Sequence, residues 1–449
     1  MMAGMVQPRT SALVLGLGRT GLSCARFLAA HGVAVEVVDD QHQPPLLARL
    51  AREVPEARVR TGAAATHGLG DAQYLVVSPG VPLDHPLLRS AASRQLEVMG
   101  DIELFARHAR APVVAVTGSN GKSTVTVLLG EMARAAGSEV RVGGNLGTPA
   151  LDLIGPVEPA CYVLELSSFQ LATTVSLAPV AAVVLNLSAD HLDRHGSLAD
   201  YAAAKGRIYR QAGLQLVNRD DPAAAALASP DRPQVSFGLD APPRAEDYGI
   251  RMHQGEPWLA RGEILLLPAR ALRLPGRHNQ ANALAALALG EVLGLPLEAM
   301  LGTLRRFPGL PHRTQWVAET GGVNWYDDSK GTNVGATLAA VQGFEQPLVL
   351  ILGGQGKGAD FGPLRAVLPG RVRQVLLLGE DAPRIEAALA GSVPLQRVAS
   401  MEQAVAVAAR LARPGDAVLL SPACASFDMF SGYEERGRVF ARAVEALGR

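Results

Sequence analysis

The sequence lacks a net charge, has few cysteines and contains no long apolar run. Its 42 basic residues balance 42 acidic ones, so the composition indicates no polyelectrolyte partner, and we expect no nucleic acid to bind. The three cysteines, Cys24, Cys161 and Cys424, are odd in number and far apart. They fit reduced thiols better than a disulfide framework or a zinc site.

Membrane-spanning and secretion signals are also missing. No apolar run approaches the ~20 residues that a membrane span requires. The N-terminus lacks the basic segment, apolar block and cleavage site that together mark a secreted chain. We therefore expect a cytoplasmic protein without a membrane span.

Lysine is the scarcest charged residue. Only four of the 42 basic residues are lysine, namely Lys122, Lys205, Lys330 and Lys357. Arginine supplies the other positive charges, so lysine is kept where a compact ammonium on phosphate or a reactive amine is needed. Compositional drift is the alternative, but three of the four lie beside glycine in turns of small residues.

The length and the order of the segments predict three α/β domains. A chain of 449 residues fits about three domains at ~150 residues each. Strand patterns alternate with helical patterns in the first, middle and last thirds, which is typical of layered parallel sheets. We predict Rossmann-like domains at residues 1–100 and 310–449, with a central P-loop ATPase-like domain at 101–309 that carries extra small strands.

The stretch from residue 112 to 130, PVVAVTGSNGKSTVTVLLG, predicts a phosphate-binding loop. A buried strand, residues 113–116, enters a turn of small residues, and a helix begins at Lys122 or Ser123. Free backbone N–H groups and the helix dipole at such a turn favour a phosphate. Lys122 would reach the β- and γ-phosphates, and the hydroxyl of Ser123 would ligate Mg²⁺. A glycine turn before an ordinary helix is the alternative.

A second glycine-rich turn lies near the N-terminus. The predicted strand 11–17 leads into Gly16-Leu-Gly-Arg-Thr-Gly21, and a second strand ends at Asp39 and Asp40. This pattern holds the pyrophosphate and ribose of a dinucleotide, and alone it would favour an oxidoreductase. Because a better triphosphate site follows, this turn more plausibly binds a nucleotide diphosphate that is part of a substrate.

Polar residues follow two central strands, predicted at 161–166 and 180–187. Glu165 and His191 lie at the carboxyl ends of these strands, so both could reach a metal ion at Ser123. A charge at a helix start and a structural histidine are the alternatives. Lys205 lies on a helix whose other residues are mostly small and apolar, and by default it would be a solvated or snorkelling lysine. Asn279 and Asn282 share a helix face, where they could cap the helix or bind a base edge.

The last third repeats the pattern of polar strand ends. Strands are predicted at 323–326, 348–352, 374–378 and 417–420. Segment 327–333, DDSKGTN, follows the first of these strands, GGQGK follows the second, and SPACASF follows the last. We expect the site residues of this domain to lie in these segments.

Taken together, the motifs resemble the Mur ligase family. The chain contains, in family order, TGSNGKST, GGNLG, LELSSFQL, DHLD, AAAKGRIY, GRHNQANALAA, GLPHR, DDSKGTN, GGQGKGADF and SPACASFD. The spacing of the phosphate loop, with only two residues between Gly118 and Gly121, also resembles that of Mur ligases and folylpolyglutamate synthetases. GDIELF, SSFQL and SPACAS favour the D-glutamate-adding branch. The resemblance implies an ATP-dependent ligase of peptidoglycan synthesis that joins D-glutamate to UDP-N-acetylmuramoyl-L-alanine.

The resemblance also implies a role for each candidate residue. The ATP site would comprise Gly118, Ser119, Asn120, Gly121, Lys122, Ser123, Thr124, Asn279, Asn282, Arg313, Asp328 and Lys330. The UDP-substrate site would comprise Arg19, Thr20, Asp39, Asp40, Gln41, Gly80, Asn145, Ser167, Gln170 and His191. D-glutamate would contact Thr332, Lys357, Ser426 and Phe427. The catalytic residues would be Lys122, Glu165, His191 and Lys205.

Two Mg²⁺ ions and an acyl phosphate follow from the same resemblance. Ser123 and Glu165 would hold one ion, and His191 with a carbamylated Lys205 would hold the other. Only a neutral amine adds CO₂, so arginine could not replace Lys205, in agreement with the sparing use of lysine. We expect a monomer.

Three other functions remain to be weighed. A sibling ligase with another amino-acid substrate is the nearest. An NAD-dependent dehydrogenase would use the first glycine-rich turn and leave the four lysines unexplained. A nucleotide-binding regulatory module would bind ATP without releasing phosphate.

Overall fold

Three sheets follow one another along the chain. The computed structural model describes residues 10–63, 68–190, 192–274, 276–344 and 346–447, with only the backbone at 192 and 193. Each sheet has helices packed against it, so the prediction of three α/β domains is confirmed. The boundaries at 100/101 and 309/310 stay a prediction.

The first sheet has five parallel strands in the order β3-β2-β1-β4-β5. This order matches the first five positions of the Rossmann order 3-2-1-4-5-6, in which the turn after β1 lies where the strand order reverses. Strand β1 ends at Leu15, two residues earlier than predicted, because Gly16 turns the chain with φ +93°. The elements are β1 (Ser11–Leu15), α1 (Arg19–Ala30), β2 (Ala34–Asp39), α2 (Leu47–Glu53), β3 (Arg58–Thr61), β4 (Tyr74–Val77), α3 (Pro86–Ser93), β5 (Glu97–Met99) and α4 (Asp101–Ala106).

The second sheet has nine strands in the order β14-β13-β12-β11-β10-β9-β6-β8-β7. Strands β6 to β12 pair in parallel, and the hairpins β12–β13 and β13–β14 are antiparallel. Its strands are β6 (Val113–Thr117), β7 (Val140–Gly144), β8 (Cys161–Glu165), β9 (Ala181–Val184), β10 (Leu214–Asn218), β11 (Gln234–Phe237), β12 (Tyr248–His253), β13 (Glu256–Arg261) and β14 (Ile264–Pro268). Its helices are α5 (Lys122–Ala135), α6 (Ser168–Ala172), α7 (Leu192–His195), α8 (Leu198–Gly206), α9 (Pro222–Ala225), α10 (Arg277–Val292) and α11 (Leu297–Arg306).

The two faces of the second sheet have different neighbours. Val114 and Val116 of β6 pack with residues of α5, α10 and α11. Ala115 faces the other way and joins a hydrophobic cluster that continues through Phe105 of α4 into the first domain. Strand β6 is buried along its whole length, so the phosphate loop that follows it starts from a fixed point.

The third sheet has six strands in the order β15-β16-β20-β17-β18-β19. All neighbours are parallel except β15 and β16. Leu350 of β17 packs towards α12 and α13, and Ile351 packs towards α14 and α15. The elements are β15 (Gln315–Thr320), β16 (Val323–Asp327), α12 (Val334–Gln342), β17 (Leu348–Gly353), β18 (Val372–Leu378), α13 (Ala382–Leu389), β19 (Leu395–Arg397), α14 (Met401–Leu411), β20 (Ala417–Leu420) and α15 (Tyr433–Ala446).

The structure bears on two expectations drawn from composition, the state of the cysteines and the lack of a membrane span. All three cysteines are buried and unpaired. Within the described ranges, no helix combines the length and the apolar composition that crossing a bilayer would require.

Gly21 should be required for stability at the first glycine-rich turn. A Cβ atom on Gly21 would lie 1.8 Å from the carbonyl oxygen of Gly16, whereas a Cβ on Gly18 would meet nothing within 4 Å. We expect Gly21→Ala to destabilise the protein by about 1–3 kcal/mol, because α1 would have to move away from β1. Thermal unfolding with Gly18→Ala as the control tests this, and equal melting temperatures for the two variants would contradict it.

Candidate functional site

The phosphate loop, defined here as residues 118–123, is held open by glycine and clamped by one asparagine. Gly118 and Gly121 have φ values of +147° and +82°. Asn186, which follows β9, accepts a hydrogen bond from the Asn120 N–H at its Oδ1 (2.8 Å) and donates from Nδ2 to the Asn120 carbonyl (3.1 Å). The Ser119 N–H donates to the Asn186 carbonyl at 2.9 Å. These bonds fix the backbone at the N-terminus of α5, where an anion is favoured.

Ser123 and Glu165 form a polar pair at the start of α5. The Ser123 hydroxyl donates to Glu165 Oε2 at 2.5 Å, and Asn145 Nδ2 donates to Oε1 at 2.7 Å. Arg313 Nη2 donates to Ser123 Oγ at 2.7 Å. Burial raises the pKa of Glu165, but the Lys122 ammonium and the hydrogen bonds from Ser123 and Asn145 outweigh it and hold the pKa below its usual value. Glu165 is therefore an ionised carboxylate in a cationic setting.

The Ser123–Glu165 pair fits one divalent cation. Mg²⁺ prefers oxygen ligands, and it commonly takes only one or two from protein beside phosphate and water oxygens. A hydroxyl and an ionised carboxylate oxygen in contact meet that requirement. Among the described residues, no group of three or more histidine, cysteine, aspartate or glutamate side chains could hold a metal ion. The chemistry of the pair therefore fits a metal bound jointly with a nucleotide.

Lys205 is buried beneath the phosphate loop. Its side chain is 2% exposed, and Nζ donates to the Gly118 carbonyl at 2.9 Å and to Thr117 Oγ1 at 3.3 Å. The ammonium lies 4.6 Å from the Tyr201 ring centroid. Burial, followed by repulsion from Lys122, holds the pKa of Lys205 well below its usual value. The alternative of a solvated lysine is wrong, because the side chain is buried.

His191 lies outside the described residues, and its predicted roles as a metal ligand and a substrate contact stay predictions. The segments on either side of it are described. Asp190 precedes it, and α7 follows it.

A cavity beside the phosphate loop, called here the central cavity, contains most of the predicted ATP residues. Its lining includes Asn120, Gly121, Thr124, Asn279, Asn282, Arg313, Asp328 and Lys330. Asn282 Nδ2 donates to Asn279 Oδ1 at 3.3 Å inside α10. The N-cap of that helix is Gly276, so neither asparagine occupies the N-cap position. Both residues line the central cavity, and contact of their amides with a ligand stays a prediction.

Two titratable groups of the third domain also line the central cavity. Burial raises the pKa of Asp328 to about 7, opposed by hydrogen bonds from the Ser421 hydroxyl (2.7 Å) and the Thr314 N–H (3.0 Å). Burial lowers the pKa of Lys330 to about 8, and its ammonium lies 3.9 Å from the Tyr433 ring centroid.

The predicted D-glutamate residues lie on three loops at one edge of the third sheet. These loops follow β16, β17 and β20, which are neighbours in the sheet. The Ala423 N–H donates to the Gly331 carbonyl, and Gln355 pairs with Ala425 in an isolated bridge. The loops that carry Thr332, Lys357, and Ser426 with Phe427 are thereby linked. Ser426 is buried and Phe427 is 65% exposed.

A second cavity, called here the N-terminal cavity, contains most of the predicted UDP-substrate residues. Its lining includes Arg19, Thr20, Asp39, Asp40, Gln41, Gly80, Asn145 and Gln170. Asp39 also has a structural role, because Oδ2 accepts a hydrogen bond from the Leu17 N–H at 2.7 Å. Ser167 is absent from the lining but donates to Gln170 Oε1 at 3.2 Å, while Gln170 Nε2 donates to Asp101 at 2.8 Å.

Sequence reasoning missed two residues that organise the site. Asn186 clamps the phosphate loop, and Tyr201 contacts both Ser119 and Lys205. Asn186 follows a buried strand, so the rule that identified Glu165 would also have found it. Ser421, which bonds Asp328, lies in the predicted SPACASF segment. Tyr201 precedes Lys205 by one helical turn in an otherwise apolar helix, which is a weaker signal.

Comparisons with known proteins agree along the chain. Three family models match: "Mur ligase MurD-like, N-terminal domain" at residues 10–100, "Mur ligase middle domain" at 116–290, and "Mur ligase, glutamate ligase domain" at 312–424. A UDP-N-acetylmuramoylalanine–D-glutamate ligase from Nitrosococcus oceani is 54% identical over 446 residues, covering 98% of each chain. One from Pseudomonas putida is 54% identical over 439 residues, covering 97% of each.

Solved structures share the fold at low sequence identity. The MurF ligase from Thermotoga maritima in complex with ADP has a TM-score of 0.63 at 16% identity, covering 98% of this chain and 96% of that one. The UDP-N-acetylmuramate-alanine ligase MurC from the same organism has a TM-score of 0.61 at 19% identity, covering 98% and 100%. These likenesses show the three-domain fold.

The raised pKa of Asp328 predicts a pH-dependent stability. The pKa of about 7 exceeds the usual value of 3.8, so the folded state holds this proton more tightly than the unfolded state. The resulting stabilisation is complete below pH ~4 and is lost as the pH rises through ~7. Between about pH 5 and pH 8, we expect the melting temperature of the ligand-free protein to fall by roughly 1–3 °C more than that of Asp328→Asn.

Comparison with Asp328→Asn isolates this group. Burial also raises the pKa of Asp101, to about 6, but that residue is present in both proteins, so its effect cancels. A melting-temperature difference that stays constant from acid to neutral pH would contradict the assignment.

Proposed function

This chain belongs to the Mur ligase family, and we propose that it joins D-glutamate to UDP-N-acetylmuramoyl-L-alanine, with consumption of ATP, in peptidoglycan synthesis. The family models match all three domains, and the two D-glutamate ligases are 54% identical over nearly the whole chain. We further propose that it acts in the cytoplasm as a monomer.

One observation supports the reaction most strongly. The Ser123–Glu165 pair is hydrogen-bonded to one lining residue of each cavity. Asn145 lines the N-terminal cavity and bonds Glu165, while Arg313 lines the central cavity and bonds Ser123. A carboxylate presented from one cavity and a γ-phosphate presented from the other would therefore meet at the start of α5.

The residue types suit the activation of a carboxylate. One oxygen of the substrate's alanyl carboxylate attacks the γ-phosphorus of ATP, the bond to the bridging oxygen breaks, and ADP leaves. The amine of D-glutamate then attacks the acyl phosphate, loses a proton and displaces phosphate. Because two anions must approach each other in the first step, Lys122 and Arg313 stabilise the developing charge. Loss of one such contact typically costs about 3 kcal/mol, or ~10²–10³ in rate.

Two Mg²⁺ ions would complete the charge balance. Ser123 and Glu165 would hold one, and His191 with Lys205 as its carbamate would hold the other. Mg²⁺ supplies positive charge that screens the phosphate and the attacking carboxylate. The lowered pKa of the Lys205 amine favours carbamate formation, because only the neutral form has a lone pair that adds to CO₂ with release of a proton.

The remaining assignments follow the cavities. We propose that the phosphate loop with Asn279, Asn282, Asp328 and Lys330 binds ATP. The N-terminal cavity, with Ser167 and Gln170 at its edge, binds the UDP-linked substrate. The linked loops of the third sheet receive D-glutamate through Thr332, Lys357, Ser426 and Phe427.

Substitution of Lys205 should test the carbamate. We expect Lys205→Ala to lose activity by about 10²–10³ and to regain part of it with small carboxylic acids that can replace the carbamate oxygens. Lys205→Arg keeps a cation but cannot be carbamylated, and it should be inactive with no rescue. Phosphate release measures both, and full activity of Lys205→Ala would contradict the proposal.

Substrate specificity is tested by phosphate release from ATP. With UDP-N-acetylmuramoyl-L-alanine present, we expect D-glutamate to support turnover and L-alanine, L-lysine and diaminopimelate to give only background rates. Turnover with one of the other amino acids would assign a sibling activity. No phosphate release with any of them would contradict the ligase function.

A further inference from the structure

Arg194, three residues after His191 in the sequence, bridges the central domain and the first domain. Its Nη1 donates to the Gly80 carbonyl at 3.0 Å, and Nη2 donates to the Val81 carbonyl at 2.8 Å. The guanidinium carbon lies 4.9 Å from the centroid of the Phe169 ring. Arg194 thus donates hydrogen bonds to a loop of the first domain and lies over an aromatic ring of the central domain.

The loop that Arg194 contacts also forms a wall of the N-terminal cavity. Residues 78–82 follow β4 and line that cavity. The loop is anchored on the first sheet, because the Ser78 hydroxyl donates to the Gly16 carbonyl at 2.8 Å. Gly80 and Val81 therefore line the proposed UDP-substrate site and accept the hydrogen bonds of Arg194.

His195, the residue after Arg194, is connected to the phosphate loop through a series of side-chain contacts. His195 stacks on Phe169 with centroids 5.1 Å apart, and its Nε2 lies 2.9 Å from Ser168 Oγ. The His195 ring also meets the Tyr201 ring edge-on at 5.3 Å, and the Tyr201 hydroxyl lies 3.2 Å from Ser119 Oγ. Helix α7 is thus packed between the wall of the N-terminal cavity and the phosphate loop.

We propose that Arg194 is a positioning residue that couples occupation of the UDP-substrate cavity to the placement of α7. A bound UDP-linked substrate would fix the 78–82 loop, and the loop would then present two oriented carbonyls that hold Arg194 and α7 against Phe169. This inference rests on the proposed function for the identity of the ligand. Arginine is required because only a planar fork donates to two carbonyls while stacking on a ring.

Hydrogen exchange of the full-length protein tests the coupling. Exchange of the backbone amides from α7 to Tyr201 is followed by mass spectrometry, with and without saturating UDP-N-acetylmuramoyl-L-alanine and without ATP. We expect the substrate to slow exchange there by about tenfold in the unchanged protein. The control Arg110→Met, which alters another exposed arginine, should show the same protection. Arg194→Met should show none, although it still binds substrate.

Two further measurements separate coupling from a general structural defect. Arg194→Lys keeps the charge but loses the fork, so it should show partial protection. In steady-state assays, Arg194→Met should raise the KM for the UDP-linked substrate by about tenfold and leave the KM for ATP unchanged. Substrate protection of α7 in Arg194→Met equal to that in Arg110→Met would overturn the inference, as would equal changes in both KM values.

Failure of this inference is distinguishable from failure of the proposed function. Exchange is measured with the UDP-linked substrate alone, so it needs no turnover. A protein that binds this substrate and protects α7 but releases no phosphate would contradict the ligase activity and support the coupling. A protein that ligates normally but shows no protection of α7 would contradict the coupling and support the ligase activity.

Discussion

The structure of the site depends on the placement of an ionised carboxylate, Glu165, beside the hydroxyl that begins α5. Burial alone would favour the protonated form of this carboxyl, and the Lys122 ammonium with two neutral donors reverses that preference. A buried carboxylate held in this way attracts a cation, and the loop above it attracts phosphate. The site is therefore built to hold charges of both signs in one place.

The same constraint explains why lysine is used so sparingly. Burial lowers the pKa of both Lys122 and Lys205, and repulsion from the Lys122 ammonium lowers the pKa of Lys205 further. Loss of the Lys205 proton would relieve that repulsion. An arginine at position 205 would keep its charge and could not relieve the repulsion.

Much of the fold and part of the site were predictable from local patterns. Strand β20 (Ala417–Leu420) has the predicted bounds, and α5 begins at Lys122, one of its two predicted starts, because buried strands and glycine turns carry strong local signals. The short edge strand β5 was missed, because three residues, of which only Met99 is buried, have little pattern of their own. The role of Arg194 depends on hydrogen bonds to Gly80 and Val81, which are distant in sequence, and no local pattern encodes them.

The central claim is that ATP activates the carboxylate of the UDP-linked substrate at this site. Its most direct test is to label both carboxylate oxygens of UDP-N-acetylmuramoyl-L-alanine with ¹⁸O and to analyse the phosphate released during ligation by mass spectrometry. An acyl phosphate transfers one carboxylate oxygen to phosphorus, so the account predicts one ¹⁸O atom in each released phosphate. Unlabelled phosphate accompanying the formation of product would contradict it.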